Sequence, residues 1–229
     1  MQDVGSRYAR RHASRQQGKL YPVEFVVRMF LGSYPRLTMD RASYAGSAIL
    51  DLGCGDGRNL AFLRDLGFTT YAVEITDELC ALVRRRVADL GLDTVVKTGS
   101  NASIPFDDAF FDYVLCCHSL YYVQSGQTFA DNLTELARVV KPGGTVVASL
   151  PKKYDRYTLW NAEPLGGNHF VVRHDPLKLR NGVIFRVFED EAEITAVFGE
   201  FFTDLTIGWM ENDFFGIEER LWIAKMTRR

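Results

Sequence analysis

Between residues 46 and 150 the chain alternates short apolar runs with longer stretches in which apolar residues recur every three or four positions. The apolar runs predict β-strands at 48–52, 69–75, 94–97, 113–117 and 145–150. The stretches between them have the spacing of one helix face, as in Leu79, Leu82, Val83 and Val87. Strands that alternate with helices are typical of a parallel sheet covered by helices. The pattern therefore predicts an α/β fold.

The segments that flank this core have other patterns. The apolar residues of 22–37 have the spacing of a helix, and this segment follows an N-terminal segment rich in Lys and Arg. After residue 150 the alternation breaks, and residues 191–202 predict a closing helix. Two closing strands are expected at 205–209 and 220–226, joined by a loop at 211–219. We therefore predict one domain over residues 1–229, made of a helical cap (1–45), a core (46–150), an insertion (151–190) and a closing helix with strands (191–229).

Composition narrows the class of protein. The 229 residues are 47% apolar and 24% charged, as in an ordinary soluble globular protein. A net charge of −2 predicts no bulk attraction to nucleic acid or to an anionic membrane. No apolar run reaches the roughly 18 residues of a membrane span, and the N-terminus lacks the apolar core of a secretory signal. The four cysteines form no C-x-x-C pair, so we expect no zinc site or disulfide framework and a cytoplasmic location.

Residues 49–59, which read ILDLGCGDGRN, hold the strongest chemical signal. A strand leads into Gly53, Gly55 and Gly57, and a helical segment follows at once. Glycine lets a ligand approach the backbone, and a helix start presents unpaired N–H groups, so this arrangement predicts a nucleotide-binding turn. A tight turn in an unrelated α/β protein is the alternative. Glu74 lies 17 residues beyond Gly57 at the end of the next strand, where a carboxylate can accept hydrogen bonds from ribose hydroxyls.

The motif D-L-G-x-G-x-G resembles motif I of the class I S-adenosylmethionine-dependent methyltransferases rather than the G-x-G-x-x-G of dinucleotide folds. A second stretch, L-A-R-V-V-K-P-G-G at 136–144, is similar to the segment before strand five of that family. The resemblance implies a three-layer, doubly wound, mostly parallel seven-stranded sheet with an antiparallel last strand and a lid insertion after strand five. It also implies S-adenosylmethionine as cofactor, bound by Asp51, Gly53, Cys54, Gly55, Gly57, Asn59, Glu74, Ile75, Ser100, Asn101, Ala102 and His118.

Two positions of this set need comment. Residues 99–106 resemble the family segment G-D-A-x-x-L-P-F, but Ser100 stands where the family has an adenine-binding Asp, and Asn101 follows it. Either side chain can accept a hydrogen bond from an exocyclic amine. His118 directly follows the predicted fourth strand, at the carboxyl edge of the sheet, where ligands of such sheets bind. It is the candidate catalytic base, and the alternative is a positional residue whose ring packs.

The resemblance also bears on the flanking segments. N-terminal helices of the family often cover the cofactor, so Arg7 and Tyr8 can cap the site; a solvated helix or frayed end is the alternative. In the insertion, residues 151–188 carry seven Lys or Arg and three acids among aromatic residues. That composition suggests an acceptor with a carboxylate, phosphate or sugar-like face, whereas the alternative is a β-hairpin excursion that extends the core. The run Arg84–Arg86 is expected on a solvated helix face.

The predicted function is S-adenosylmethionine-dependent methyl transfer, on oxygen or nitrogen, to a small-molecule acceptor. The N-P-P-Y and Pro-Cys motifs of nucleic-acid and protein methyltransferases do not occur, and no metal is expected. The expected partner is the acceptor alone, with no nucleic acid and no membrane; the oligomeric state is not readable. The alternatives are an NAD-dependent oxidoreductase and a non-catalytic module that binds S-adenosylmethionine.

Overall fold

The structure is a computed structural model that describes residues 5–8, 10–11, 20–175 and 179–229. Residues 1–4, 9 and 12–19 of the predicted cap, and 176–178 of the insertion, lie outside the described residues. Residues 5–8 and 10–11 are helical, and a short 3₁₀ turn covers Arg41–Ser43. The other elements are α1 (Glu24–Leu31), β1 (Ala48–Leu52), α2 (Leu60–Asp65), β2 (Thr69–Glu74), α3 (Asp77–Asp89), β3 (Val95–Thr98), β4 (Phe111–Cys116), β5 (Tyr122–Val123), α4 (Phe129–Val139), β6 (Val140–Pro151), β7 (Ala162–Gly166), β8 (His169–Val172), β9 (Ile184–Arg186), α5 (Glu191–Phe198), β10 (Phe202–Phe214) and β11 (Ile217–Arg228).

The main sheet has seven strands in the order β10-β11-β6-β4-β1-β2-β3. The neighbours from β6 to β3 all run parallel, whereas β11 runs antiparallel to both β6 and β10. The strand order reverses between β1 and β4, which is the switch point where open α/β sheets bind ligands beyond their carboxyl edge. The predicted doubly wound sheet with an antiparallel last strand is confirmed.

Helices cover both faces of this sheet because successive strand residues point to opposite sides. Ile49 of β1 packs in one cluster with Phe30 of α1 and Leu63 of α2. Its neighbour Leu50 packs in another cluster with Leu133 of α4. The two clusters join the helices on either face to the sheet, so the fold has three layers. None of the helices in the described part of the chain is long and apolar enough to cross a membrane.

The closing segment differs from the prediction. Helix α5 ends before Gly199, so residues 199–202 are not helical as expected. The predicted loop at 211–219 is wrong, because the ladder continues through Asn212 paired with Glu219 to Phe214 paired with Ile217. Only Phe215 and Gly216 remain for the turn, and both have a left-handed backbone. The strand β6 is also longer than expected, since Val140 already pairs with Phe111 ahead of a register shift.

The insertion contains strands of its own. Strands β7, β8 and β9 form an antiparallel sheet in the order β5-β9-β8-β7. The strand at one end of this order, β5, is Tyr122–Val123. It lies outside the insertion, shortly after His118 in the sequence. Tyr122 pairs with Phe185, and this pairing attaches the small sheet beside the carboxyl edge of the main sheet. The insertion therefore forms most of a small sheet that is attached next to the candidate site.

Candidate functional site

The glycine loop, residues 53–57, lies at the carboxyl ends of β1 and β2. The N–H groups of Gly53 and Cys54 both donate to the carbonyl of Val73, at 2.9 and 3.1 Å. Gly53 has a φ of 70°, and a Cβ built on it would lie 2.6 Å from the Cβ of Ser119. Gly57, the last residue of the loop, has a φ of 74° and donates to the carbonyl of Cys54. The loop is thus held between β2 and the segment that follows β4, at a distance only glycine allows.

Glu74 faces this loop. One carboxylate oxygen, Oε1, accepts a hydrogen bond from the Gly55 N–H at 2.7 Å, and Oε2 accepts one from the Ile75 N–H at 2.8 Å. The residue is 9% exposed. The structure therefore brings together the predicted carboxylate and the predicted glycine loop.

Asp51 and Asn59 form a buried pair behind the loop. The Asn59 amide donates to Asp51 Oδ2 at 3.4 Å, and its oxygen accepts from the Val23 N–H at 3.1 Å. Asp51 Oδ1 is buried and has no hydrogen-bond partner among the described residues. Burial, with a contribution from the charge of Glu74, raises the pKa of Asp51 to about 7. A buried carboxylate oxygen without a donor fits a site that receives a cationic or N–H-bearing ligand.

Asp56 closes the loop from outside. Its carboxylate accepts two hydrogen bonds from the Arg58 guanidinium, both at 3.0 Å. Its carbonyl accepts one from Arg86, whose side chain is only 11% exposed. Arg86 was predicted on a solvated face together with Arg84, which donates to the carbonyl of Val96. That prediction is wrong for Arg86, because the residue supports the glycine loop.

The predicted adenine segment forms a tight turn at the end of β3. Ser100 and Ser103 exchange backbone hydrogen bonds at 2.9 and 3.1 Å, and Ala102 lies half-buried within the turn. The Asn101 amide donates to three carbonyls in the segment after His118, those of Ser119, Leu120 and Tyr122, at 2.8, 3.2 and 3.2 Å. The Asn101 nitrogen therefore fixes the chain beyond β4. An adenine contact from Ser100 or Asn101 stays a prediction.

His118 stands immediately beyond β4 in a left-handed conformation, with a φ of 56°. Its N–H donates to the Ser149 hydroxyl at 2.9 Å, and its ring meets the edge of Phe25 with 5.6 Å between centroids. The side chain remains 30% exposed, so a ligand can reach it. Burial of most of the imidazole lowers the pKa of His118 to about 4. The Asp155 charge opposes this shift, and the Arg58 charge acts in the same direction as burial. The imidazole is therefore neutral at pH 7 and weakly basic.

This lowered pKa predicts a pH dependence of stability. Between pH 6.5 and about 4 the unfolded chain binds a proton at His118 that the folded protein does not, so the stabilisation present above pH 6.5 is lost as the pH falls. We expect the stability advantage of wild type over His118→Asn to shrink by up to ~1.4 kcal/mol per pH unit across this window. Urea unfolding at several pH values measures it. Asp51, whose raised pKa acts in the opposite direction, is present in both proteins and cancels; parallel profiles would contradict the assignment.

Two carboxylates near His118 were missed by the sequence reasoning. Glu219 Oε1 lies 4.0 Å from His118 Nδ1. Asp155 is fully buried and accepts hydrogen bonds from the N–H groups of Thr158 and Arg220, at 2.8 and 2.7 Å. Glu219 was hidden in the predicted loop. A signal existed, because extending the two-residue alternation of Leu221 and Ile223 backwards places it on the same face of β11.

The N-terminal residues cover part of this edge. A Cβ built on Gly5 would lie 2.2 Å from Thr76, so the helical segment is seated directly on the residue before α3. The Tyr8 and Tyr122 hydroxyls are 3.0 Å apart, and Arg7 donates to the carbonyl of Asn181 in the insertion. These contacts span from the end of β2 to the insertion and support the predicted cap.

The four cysteines are free thiols. Cys54 belongs to the glycine loop and Cys117 precedes His118, while Cys80 and Cys116 are buried in the fold. Burial raises the pKa of all four thiols. Within the described ranges, no group of three His, Cys, Asp or Glu is placed to hold a metal ion.

Comparison with known proteins agrees with this geometry. A family model described as "Methyltransferase domain" matches residues 50–148, which include the glycine loop, Glu74 and His118. A demethylmenaquinone methyltransferase of Clavibacter sepedonicus is 37% identical over 107 residues, 46% of this chain and 42% of that protein. The chain thus spans less than half the length of this curated relative.

Two solved structures share the fold over most of the chain. A SAM-dependent methyltransferase from Methanosarcina mazei has a TM-score of 0.66 at 18% identity, covering 91% of this chain and 99% of that one. A Burkholderia thailandensis 1,6-didemethyltoxoflavin-N1-methyltransferase, with S-adenosylhomocysteine bound, has a TM-score of 0.65 at 15% identity, covering 99% and 85%. Residues 50–148 of the chain thus match the methyltransferase-domain family, and the chain has the fold of solved S-adenosylmethionine-dependent methyltransferases.

Proposed function

We propose that the chain transfers a methyl group from S-adenosylmethionine to a small-molecule acceptor. The observation that carries the proposal is the contact of Glu74 Oε1 with the Gly55 N–H at 2.7 Å. The contact brings the Glu74 carboxylate next to the glycine loop, which supports a role for Glu74 in binding the ribose and for the loop in binding the rest of the cofactor. The names of the relatives above refer to demethylmenaquinone and 1,6-didemethyltoxoflavin, which supports an organic small molecule as acceptor.

The residues at this edge fit S-adenosylmethionine by their chemistry. Glu74 would accept hydrogen bonds from the ribose hydroxyls, and Asp51, with its unpartnered buried oxygen, suits the positive charge of the amino-acid end. The Ser100 or Asn101 side chain would accept a hydrogen bond from the adenine amine. The remaining predicted contacts, which shape the walls around these groups, are Gly53, Cys54, Gly57, Asn59, Ile75, Ala102 and His118.

When bound, the cofactor supplies an electrophilic methyl group and a good leaving group. The chain has to hold the acceptor in line with that methyl and exclude water, and such orientation is worth roughly 7–11 kcal/mol. His118, neutral and accessible, can accept a proton or a hydrogen bond from the acceptor. The insertion is proposed to bind the acceptor, because its strand β9 pairs with β5 close behind His118.

Binding and turnover measurements test the proposal. We expect S-adenosylmethionine and S-adenosylhomocysteine to bind in calorimetry, and labelled methyl groups to appear on a small organic molecule from an acceptor panel. NAD serves as the competing ligand, since an oxidoreductase would bind it instead. Absence of binding at millimolar S-adenosylmethionine would refute the proposal. Tight binding without any methylated product would favour the non-catalytic module.

A further inference from the structure

The positively charged side chains in the described part of the insertion already contact carboxylates. Lys178 lies outside the described residues, and each of the other six Lys and Arg between residues 151 and 188 contacts a carboxylate. The pairs are Lys152–Glu211 at 2.7 Å, Lys153–Glu189, Arg156–Glu218 and Arg173–Glu163 at 2.8 Å, Arg180–Asp175 at 3.4 Å and Arg186–Glu193 at 2.5 Å. An anionic acceptor would have to compete with the carboxylate of one of these pairs. The basic composition that suggested such an acceptor therefore leaves no Lys or Arg of the described insertion without a carboxylate neighbour.

The charge beside His118 is negative. The Glu219 side chain is 22% exposed and receives a hydrogen bond from the Asn212 side chain. No Lys or Arg of the described chain lies within 4.0 Å of it, and burial raises its pKa. Arg58, the cation whose charge reaches His118, is held by both oxygens of Asp56. The buried Asp155 adds a second negative charge, so this side of the site favours a ligand that brings positive charge.

The Glu219 carboxylate and the His118 imidazole lie close to each other without a hydrogen bond between them. The 4.0 Å between Glu219 Oε1 and His118 Nδ1 exceeds the length of a hydrogen bond, so the two groups do not satisfy each other. Phe25 lies against the His118 ring and supplies an apolar wall. A group that donates N–H to Glu219 and meets the imidazole would satisfy both side chains.

We infer that the acceptor is an amine, that Glu219 accepts a hydrogen bond from its N–H, and that the transfer is an N-methylation. The inference rests on the proposed function. The free-base nitrogen uses its lone pair to form a C–N bond with the methyl carbon, while the C–S bond breaks and its electron pair stays on sulfur. The positive charge of the sulfonium thereby moves to the methylated nitrogen, next to the Glu219 carboxylate. An amine that enters as the ammonium first releases a proton to solvent, because His118, with its lowered pKa, is too weakly basic to hold it, and the free base then attacks.

Three probes with the same ring test the inference: 2-phenylethylamine, 2-phenylethanol and 3-phenylpropionate. Each is titrated by calorimetry into protein saturated with S-adenosylhomocysteine. We expect the amine to bind at least tenfold more tightly than the other two. Glu219→Gln should remove that preference and leave the affinity for the alcohol within about twofold. Glu218→Gln, which changes the adjacent carboxylate in the Arg156 ion pair, is the matched control and should keep the preference.

Glu219→Lys provides a second variant, expected to reverse the order in favour of 3-phenylpropionate. Equal affinities in wild type, an unchanged preference in Glu219→Gln, or no binding of any probe would overturn the inference. The preceding titration with S-adenosylhomocysteine separates the two proposals. If that ligand binds and the amine has no advantage, only the N-methylation fails; if it does not bind, the proposed function fails.

Discussion

Replacing Glu74 with alanine is expected to weaken binding of S-adenosylmethionine at least tenfold. The ribose hydroxyls would lose their hydrogen bonds to the carboxylate, and hydrogen bonds to charged groups contribute about 1.5–3 kcal/mol each. The same substitution removes the acceptor of the Gly55 N–H, so the glycine loop loses a support as well. Calorimetric titration with S-adenosylmethionine and S-adenosylhomocysteine measures the effect.

Glu78→Ala is the matched control for this prediction. Glu78 is an exposed acid in the first turn of α3, close in sequence to Glu74. It changes the net charge by the same amount without touching the glycine loop. We expect its affinity for the cofactor to stay within about twofold of wild type. An equal loss in both variants, or none in Glu74→Ala, would contradict the role of Glu74.

Gly53→Ala is expected to reduce both stability and cofactor binding. A left-handed backbone costs a residue with a Cβ about 1–2 kcal/mol, and Gly53 has a φ of 70°. The new Cβ would also lie 2.6 Å from Ser119, and overpacking costs about 1–3 kcal/mol more. We expect the free energy of unfolding to fall by about 2–5 kcal/mol, measured by urea unfolding. The displaced loop should weaken binding of S-adenosylhomocysteine at least tenfold.

Gly46→Ala separates backbone strain from the clash. Gly46 has a φ of 78°, but a Cβ there meets nothing within 4 Å. We expect only the backbone cost of about 1–2 kcal/mol and unchanged cofactor affinity. Similar losses in the two variants would show that the contact with Ser119 does not limit residue 53.

The core of the fold could be predicted because its signals are local. Apolar residues repeat at different spacings in helices and in strands, and the glycines between β1 and α2 indicate a turn. The position of Glu74 follows from the same reasoning, since parallel strands end at one edge of the sheet. These features depend on neighbours in sequence, so the structure agrees with the prediction over residues 46–150 apart from strand ends and the short strand β5.

The features that were missed depend on contacts between distant segments. Asn212 and Glu219 belong to a ladder that continues past the expected strand ends, and strand pairing is decided by the partner as much as by the residues themselves. The pairing of Tyr122 with Phe185 joins segments about sixty residues apart, which no local pattern reveals. The charge of the insertion is a weak guide to the acceptor for a similar reason, because composition counts cations without counting the carboxylates that meet them.

The placement of the thiols gives the molecule a built-in chemical reporter. A thiolate, not a thiol, reacts with alkylating agents, so the raised pKa values of Cys54 and Cys117 make both residues slow to modify in the folded protein. Cys54 belongs to the glycine loop and Cys117 precedes His118, so both lie at the proposed cofactor site. Their rate of iodoacetamide labelling, followed by mass spectrometry, therefore registers how often this edge opens, without any probe being added to the chain.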